Sequence, residues 1–427
     1  MKTIILTILL IPILAFGQTV STLGELFDSL KTHPVLKADS LLMEKADAGE
    51  GMAWGQLFPK INLFGKYDIS TNPTGMRPLT LNEMFPMIKN QTIPQPFSDN
   101  ILRGGATISM PIFVKSIFTM ASKAKMMYKS AESKRYIDQL KNEAIISSAN
   151  ANLLYLDNLK IALEKKKESL EKTKELVNIK VNAGRAPESA LLKIDNGLNQ
   201  VEIMKHTIDL NRESAIQMIY SLTGVKLEKG LSMQQVGNFV DGEIKAIEPL
   251  KNKLEADRLA YRAEKEKLWP ILALNGNYNF STATAYNNNQ KVDEQFGTIG
   301  ITLMVPLFRM DEYKKISKSS VEYEMSKNEF ERMNLELKSQ SEQLKISLPL
   351  VESIVELSEK SVNDKDELLK IAKVSYDSGR MSIEDYLKYE DDLLLEKSKL
   401  YKSESQKWQI LMKLAVIYGN NIEEIVR

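Results

Sequence analysis

The chain has 427 residues, enough for two or three ordinary domains, and its 57 Lys and Arg nearly balance its 56 Asp and Glu. This balance argues against nucleic acid as a partner, and the absence of Cys excludes disulfides, thiolate metal sites, cysteine nucleophiles and a lipid anchor on cysteine. With only two histidines, His33 and His206, the sequence disfavours a histidine-based zinc site or catalytic triad. We therefore expect no enzyme, no cofactor and no metal.

The N-terminus has the pattern of an export signal. In MKTIILTILLIPILAFGQ, Lys2 precedes an apolar run from Ile4 to Phe16, and the small residue Gly17 follows. This pattern predicts a secretory signal peptide over residues 1–17, cleaved after Gly17. A membrane-spanning anchor is disfavoured because the run is shorter than the ~20 residues that a span needs.

The rest of the chain repeats itself. GGATISMPIF at 104–113 recurs as IGITLMVPLF at 299–308, and NAGRAPESALLK at 182–193 recurs as DSGRMSIEDYLK at 377–388, in both cases 195 residues later. A constant offset over so long a stretch indicates duplication. The repeat predicts two homologous halves, residues 18–224 and 241–419, joined by residues 225–240 and followed by a tail over 420–427.

In the first half, a capping box at Thr22–Glu25 opens a short helix, and a longer helix runs from about Val35 to Gln56. A strand pair follows within about 60–111, as two strands of about ten residues around a polar, Pro-rich loop at 71–100. Three methionines in this loop could suggest copper(I) ligation, but loop packing is the simpler interpretation. The remaining elements are a long helix over 115–181, a turn over 182–187 and a returning helix over 188–221.

The second half repeats this order. Pro349 falls inside its long helix and predicts a kink or brief break near residues 345–349. A polar loop is expected at 281–295. The elements are a helix over 243–268, a strand pair within about 271–306, a long helix over 311–376, a turn over 377–382 and a returning helix over 383–418.

The strands alternate between an apolar and a polar face. Asn275, Asn277 and Asn279, for example, lie between apolar residues of the same strand. Such strands suit a barrel wall with lipid outside and water inside, although a small hairpin packed on helices remains an alternative. The residues expected to face lipid are Leu272, Leu274, Tyr278, Ile301 and Leu303.

The long helices carry apolar residues seven positions apart, which predicts supercoiling against neighbouring helices. In the first long helix these are Ala149, Leu156, Leu163, Leu170 and Val177. Each long helix ends in a short turn that contains Gly184 or Gly379, and we expect both glycines to adopt the left-handed conformation.

In these features the sequence resembles the outer-membrane efflux protein family, the TolC-like exit ducts. The resemblance covers essentially the whole mature chain. It rests on THPVLKADSLL at 32–42, on the LFP and LWP entries to the strands, on the exits at Pro111 and Pro306, and on the repeat itself. It implies a mixed α/β membrane protein, mostly α, that forms a homotrimer with four strands per chain in one twelve-stranded barrel. A coiled-coil helical tunnel would continue the barrel through the periplasm of a Gram-negative bacterium.

The resemblance also implies partners and sites. A periplasmic adaptor and an inner-membrane pump would dock at the tunnel entrance, formed by the two turns with Gly184, Arg185, Gly379 and Arg380. Family members hold a closed entrance with polar links and acidic residues just inside the turns. Ala190 stands where such an acidic residue is expected in the first half. The gate candidates are therefore Tyr376 and Asp385, helped by Glu384 and Glu188; the alternative is that these carboxylates only complement helix dipoles.

The family role would be the exit duct of a tripartite efflux or type I secretion system, for small molecules or proteins. Two other classes compete with it. A secreted coiled-coil spacer or adhesin would share the heptads, but it would not need paired alternating strands at a fixed repeat. A periplasmic enzyme would need a constellation of catalytic residues, which the sequence does not offer.

Overall fold

The structure is a computed structural model that describes residues 20–427, so the expected signal peptide at 1–17 lies outside the described residues. The chain is mostly helical with one antiparallel sheet of four strands, as expected. Among residues 20–427, no helix combines the length and the apolar character that a membrane span requires. The chain divides into two compact units, one of residues 20–41, 133–248 and 332–427 and one of residues 42–132 and 249–331.

The second half of the chain repeats the order of the elements in the first half, without helices that correspond to the first and third helices there. In the first half these are α1 (Leu23–Thr32), α2 (Pro34–Gly55), β1 (Lys60–Gly75), α3 (Leu81–Lys89), β2 (Phe97–Phe113), α4 (Lys115–Asn182) and α5 (Glu188–Thr223). In the second half they are α6 (Glu248–Glu266), β3 (Ile271–Thr284), β4 (Lys291–Met304), α7 (Met310–Asp377) and α8 (Ile383–Tyr418).

The unit of residues 42–132 and 249–331 contains the sheet, with strand order β1-β2-β3-β4. Its strands have 14 to 17 residues, so the expectation of about ten was too short. The polar residues at the strand ends, where loops are expected, continue the ladder. In β1 the register shifts between Ile69 and Thr74, which accommodates Pro73 as a bulge because proline cannot donate a ladder hydrogen bond.

The expectation of a simple loop at 71–100 is also wrong, because the segment contains α3. The Glu83 carboxylate accepts a 2.9 Å bond from the Thr80 backbone N–H and so caps the helix N-terminus. Likewise, the loop expected at 281–295 is only the short turn between β3 and β4, residues 285–290.

The described residues of the other unit form four hydrophobic clusters, and the two largest involve α4 and α5. One packs α1 against α4, α5 and α8, with Leu23, Phe27, Leu153 and Ile219 fully buried. The second runs along the α4–α5 hairpin and contains the heptad residues Leu156, Leu163, Leu170 and Val177 of α4 with Ala190, Ile194, Val201 and Ile208 of α5.

Of the kink or brief break expected near Pro349, the break is absent, since α7 runs as one helix from Met310 to Asp377. Proline removes one backbone hydrogen bond from the helix. Packing offsets this loss, because Leu344 is buried in a cluster with Leu414 and Ile417, and Leu348 packs against the same cluster. The turn that contains Pro349 is therefore held by its apolar side.

Candidate functional site

The sheet presents two chemically different faces. Leu274 pairs directly with Ile301 and Leu272 with Leu303, so these four expected lipid-facing residues lie on one face. Four residues after Leu274 in β3, and past Gly276, Tyr278 is on the same face and pairs with Gly297. The same face continues across β2 and β1, where Ala106 pairs with both Tyr278 and Leu63. Leu63 is 83% exposed, so this apolar face has no cover in the described chain.

The opposite face carries polar and charged side chains. Asn277 pairs with Thr298 and accepts a hydrogen bond from its hydroxyl. Arg103 in β2 donates 3.0 Å bonds to the Asp68 carboxylate and to the backbone oxygens of Gly75 and Met76. The face is therefore wettable along its length, with an ion pair near one end.

The two outer strands of the sheet leave their edges unpaired. Among the described residues, β1 pairs only with β2 and β4 only with β3. An unpaired edge presents a row of backbone donors and acceptors to any strand that approaches it. A sheet with one exposed apolar face and two open edges is incomplete as a single chain.

The helical tips have the same backbone in both halves. Gly184 and Gly379 have φ values of +64° and +72°, in the left-handed region where glycine carries no Cβ penalty. At each tip two backbone bonds satisfy helix carbonyls that would otherwise lack partners. At the first tip the Gly184 N–H donates to the Val181 oxygen at 2.9 Å and the Arg185 N–H to the Lys180 oxygen at 2.8 Å. The second tip has the equivalent bonds, from Gly379 to Tyr376 at 3.0 Å and from Arg380 to Ser375 at 2.9 Å. The side chains of Arg185 and Arg380 are exposed.

The gate candidates occupy different environments. Tyr376 is buried and its ring stacks on that of Tyr386, with ring centroids 5.3 Å apart. The Asp385 N–H donates to the Ser382 hydroxyl at 3.1 Å, and that hydroxyl donates to the Asp385 carboxylate at 2.6 Å, which caps α8. Glu384 forms an ion pair with Lys193 of α5, and Glu188 is exposed in the first turn of α5.

Comparison with solved structures identifies the architecture. The Campylobacter jejuni CmeC outer membrane channel matches with a TM-score of 0.76 at 18% identity, covering 93% of this chain and 85% of that one. The outer membrane protein VceC from Vibrio cholerae matches with a TM-score of 0.76 at 15% identity, covering 93% and 96% of the two chains. The open state of the Neisseria gonorrhoeae MtrE outer membrane channel matches with a TM-score of 0.73 at 14% identity, covering 95% and 90%.

This chain has the TolC-like outer-membrane channel fold. The resemblance inferred from the sequence is thus confirmed at the level of the fold. No family model matches the sequence, and no curated protein matches it.

Within the channel fold, a buried polar cluster links α4 to α8 below the second tip. The Glu390 carboxylate is buried, and its Oε1 accepts bonds from the Tyr386 hydroxyl at 2.8 Å and from the Ser169 hydroxyl. Burial raises the pKa of Glu390 above its usual value. Sequence reasoning missed this cluster, because Ser169 and Glu390 are 221 positions apart and nothing local marks them as partners.

The described part of the chain contains no metal-binding cluster of side chains. No group of three or more His, Asp or Glu side chains there is placed to hold a metal ion. Met76, one of the three loop methionines, is buried against Ile101 and Val292 at the end of the sheet.

Proposed function

We propose that this chain is an outer-membrane channel-tunnel, the exit duct of a tripartite efflux or type I secretion system. The observation that carries the proposal is the four-stranded sheet with one apolar face, one polar face and two open edges. The apolar face meets lipid and the polar face lines a water-filled duct. Small molecules or proteins would leave the cell through it, delivered by a pump and its adaptor.

Closing such a sheet requires further copies of the chain. Edge pairing of β4 with β1 of a neighbour would give one twelve-stranded barrel from three chains and remove every open edge. An apolar stripe on α7 supports self-association, since Ile346, Leu350, Leu357 and Ile371 are all exposed and fall on one helical face. We assign this stripe to contacts between chains in a coiled-coil periplasmic tunnel.

The signal peptide, cleaved after Gly17, would direct the chain to the outer membrane of a Gram-negative bacterium. No cysteine is present to carry a lipid. The barrel alone would then hold the protein in the membrane.

The tips are proposed as the docking end of the tunnel. Gly184 and Gly379 shape the turns, and Arg185 and Arg380 present exposed cations to the periplasmic adaptor. Arg185→Glu with Arg380→Glu should leave outer-membrane trimers intact but abolish their cross-linking to the adaptor. Persistent cross-linking would reduce both arginines to partners of the helix dipole, a contribution of only ~0.3–1 kcal/mol.

The experiment that tests the barrel compares two neighbours in β3 that point to opposite faces. Leu274→Arg would bury a charge in lipid at a cost of ~2–4 kcal/mol near the bilayer centre and should deplete trimer from the outer membrane. Asn275→Arg, on the polar face, should leave the amount of trimer unchanged. Equal amounts of both variants in purified outer membranes would refute the lipid-facing assignment, and equal depletion would refute the distinction between the faces.

A further inference from the structure

A cavity of about 330 Å³ lies between α4, α7 and α8 in the tip-bearing unit. Its lining residues recur at spacings of three and four along each helix, so each helix contributes one face to the wall. The charged lining residues are Lys165 and Lys166 from α4, Asp366, Lys370 and Lys373 from α7, and Glu390 and Lys397 from α8.

The cavity has an excess of positive charge. Lys370 is paired with Asp366 at 2.8 Å, and Lys166 with Asp391. The other three lysines, Lys165, Lys373 and Lys397, have no carboxylate within ion-pair distance in the described part of the chain. Three lysines from three different helices therefore line one small space without an ion-pair partner, and the Asp366 carboxylate in the same wall attracts two of them, Lys165 and Lys397, from a greater distance.

A buried carboxyl group in the same wall is incompletely satisfied. Glu390 uses its Oε1 to accept bonds from Tyr386 and Ser169, whereas its buried Oε2 has no hydrogen-bond partner among the described residues. Burial raises the pKa of Glu390, so at any given pH this carboxyl group contributes less negative charge to the cavity wall than an exposed Glu would.

We infer that this cavity binds a small oxyanion such as inorganic phosphate. Its oxygens would accept charge-assisted hydrogen bonds from Lys165, Lys373 and Lys397. The inference goes beyond the proposed transport role and does not depend on it.

The test is calorimetric titration of the purified full-length protein with sodium phosphate at pH 7, with ionic strength held constant by sodium chloride. We expect saturable binding, one phosphate per chain, with Kd near or below about 1 mM. Lys165→Gln with Lys373→Gln should raise Kd at least about tenfold. The matched control, Lys172→Gln with Lys360→Gln, removes two lysines from the same helices outside the cavity and should change Kd less than about twofold.

The absence of saturable binding to the wild-type protein would overturn the inference. Equal weakening by the cavity pair and the control pair would also overturn it, because general charge would then explain the binding. If the cavity pair fails to fold by circular dichroism, Lys397→Gln alone carries the test and should weaken binding at least about threefold. Binding is measured without transport, so it can succeed or fail whether or not the protein forms channels.

Discussion

The two helical hairpins share a backbone but differ in the side chains that close them. Both tips use a left-handed glycine with the same pair of capping bonds. Below the first tip the α4–α5 hairpin is sealed by aliphatic residues at heptad spacing. Below the second tip the α7–α8 hairpin has the stacked Tyr376 and Tyr386 rings and the buried Glu390.

Positions related by the 195-residue repeat show how far the halves have diverged. Val181 and Leu191 stand where the second half has the two stacked tyrosines, Ala190 stands at the position of Asp385, and Pro187 at that of the capping Ser382. The common backbone therefore depends on the glycines and the apolar spacing alone. The two helices of the first hairpin are held together by apolar side chains. The second hairpin combines aromatic packing with hydrogen bonds, which can be exchanged in a conformational change.

The largest loss of stability should come from a change in the apolar cluster between α4 and α5. Leu163→Ala removes a fully buried side chain and should lower the free energy of unfolding by about 2–5 kcal/mol. Ile161→Ala, two residues away and 57% exposed, is the control and should cost much less. Denaturant unfolding followed by circular dichroism measures both. Equal losses of unfolding free energy would show that the apolar cluster is not the core of this hairpin.

Replacing the glycine should destabilise the two tips equally, because the two glycines have the same backbone conformation. Gly184→Ala and Gly379→Ala each force a Cβ into the left-handed region and should each cost about 1–2 kcal/mol of unfolding free energy. Gly51→Ala, within α2 and with no atom near the added Cβ, should instead stabilise by about 0.5–1 kcal/mol. Strongly unequal losses of unfolding free energy at the two tips would show that their backbones are not equivalent.

A smaller effect separates the two stacked tyrosines. Tyr386→Phe removes the hydroxyl that donates to Glu390 and should cost about 1 kcal/mol. Tyr376→Phe removes a buried hydroxyl that has no hydrogen-bond partner in the described structure, so it should be neutral or slightly stabilising. The same unfolding assay compares them. A larger loss for Tyr376→Phe would mean that its hydroxyl has a partner in the assembled protein.

The pH dependence of stability should reveal Glu390. A raised folded pKa means that the folded state binds the proton more tightly, so this favourable contribution is complete below the usual value of 4.5 and is lost as pH rises through the folded pKa. The stability of Glu390→Gln relative to wild type should therefore increase from pH 4 to pH 8. Glu168→Gln should show the opposite trend, because the bond from Lys172 lowers the pKa of Glu168. If the relative stability of both variants changed with pH in the same direction, the pKa of Glu390 would not be raised in the folded protein.

The sequence predicted helix ends and strand faces correctly where a single local feature determines them. Gly184 and Gly379 end helices because only glycine enters the left-handed region freely, and strand alternation placed Leu274 and Ile301 on one face. The helix α3 was missed although its capping box, Thr80 to Glu83, has the same form as the one at Thr22. Proline within the segment and polar flanking residues outweighed that signal.

The polar part of the candidate site could not be predicted from the sequence. Glu390, Ser169 and the cavity lysines come together only when α4, α7 and α8 pack, and their spacing along each helix is that of any solvated face. The break expected at Pro349 is absent for a related reason: the packing of Leu344 and Leu348 offsets the backbone hydrogen bond that proline removes. Tertiary contacts decided both cases.

The central claim, that this chain forms a gated duct, is tested most directly by single-channel recording of the purified protein in planar bilayers. The account predicts discrete, stable conductance steps from wild-type trimers and larger steps from Asp385→Ala with Tyr376→Phe, in which Asp385→Ala introduces the residue that the first half has at Ala190. Folded trimers that insert without conducting would contradict the duct. Steps of unchanged size in the double variant would leave Asp385 as the cap of α8 and remove it from the gate.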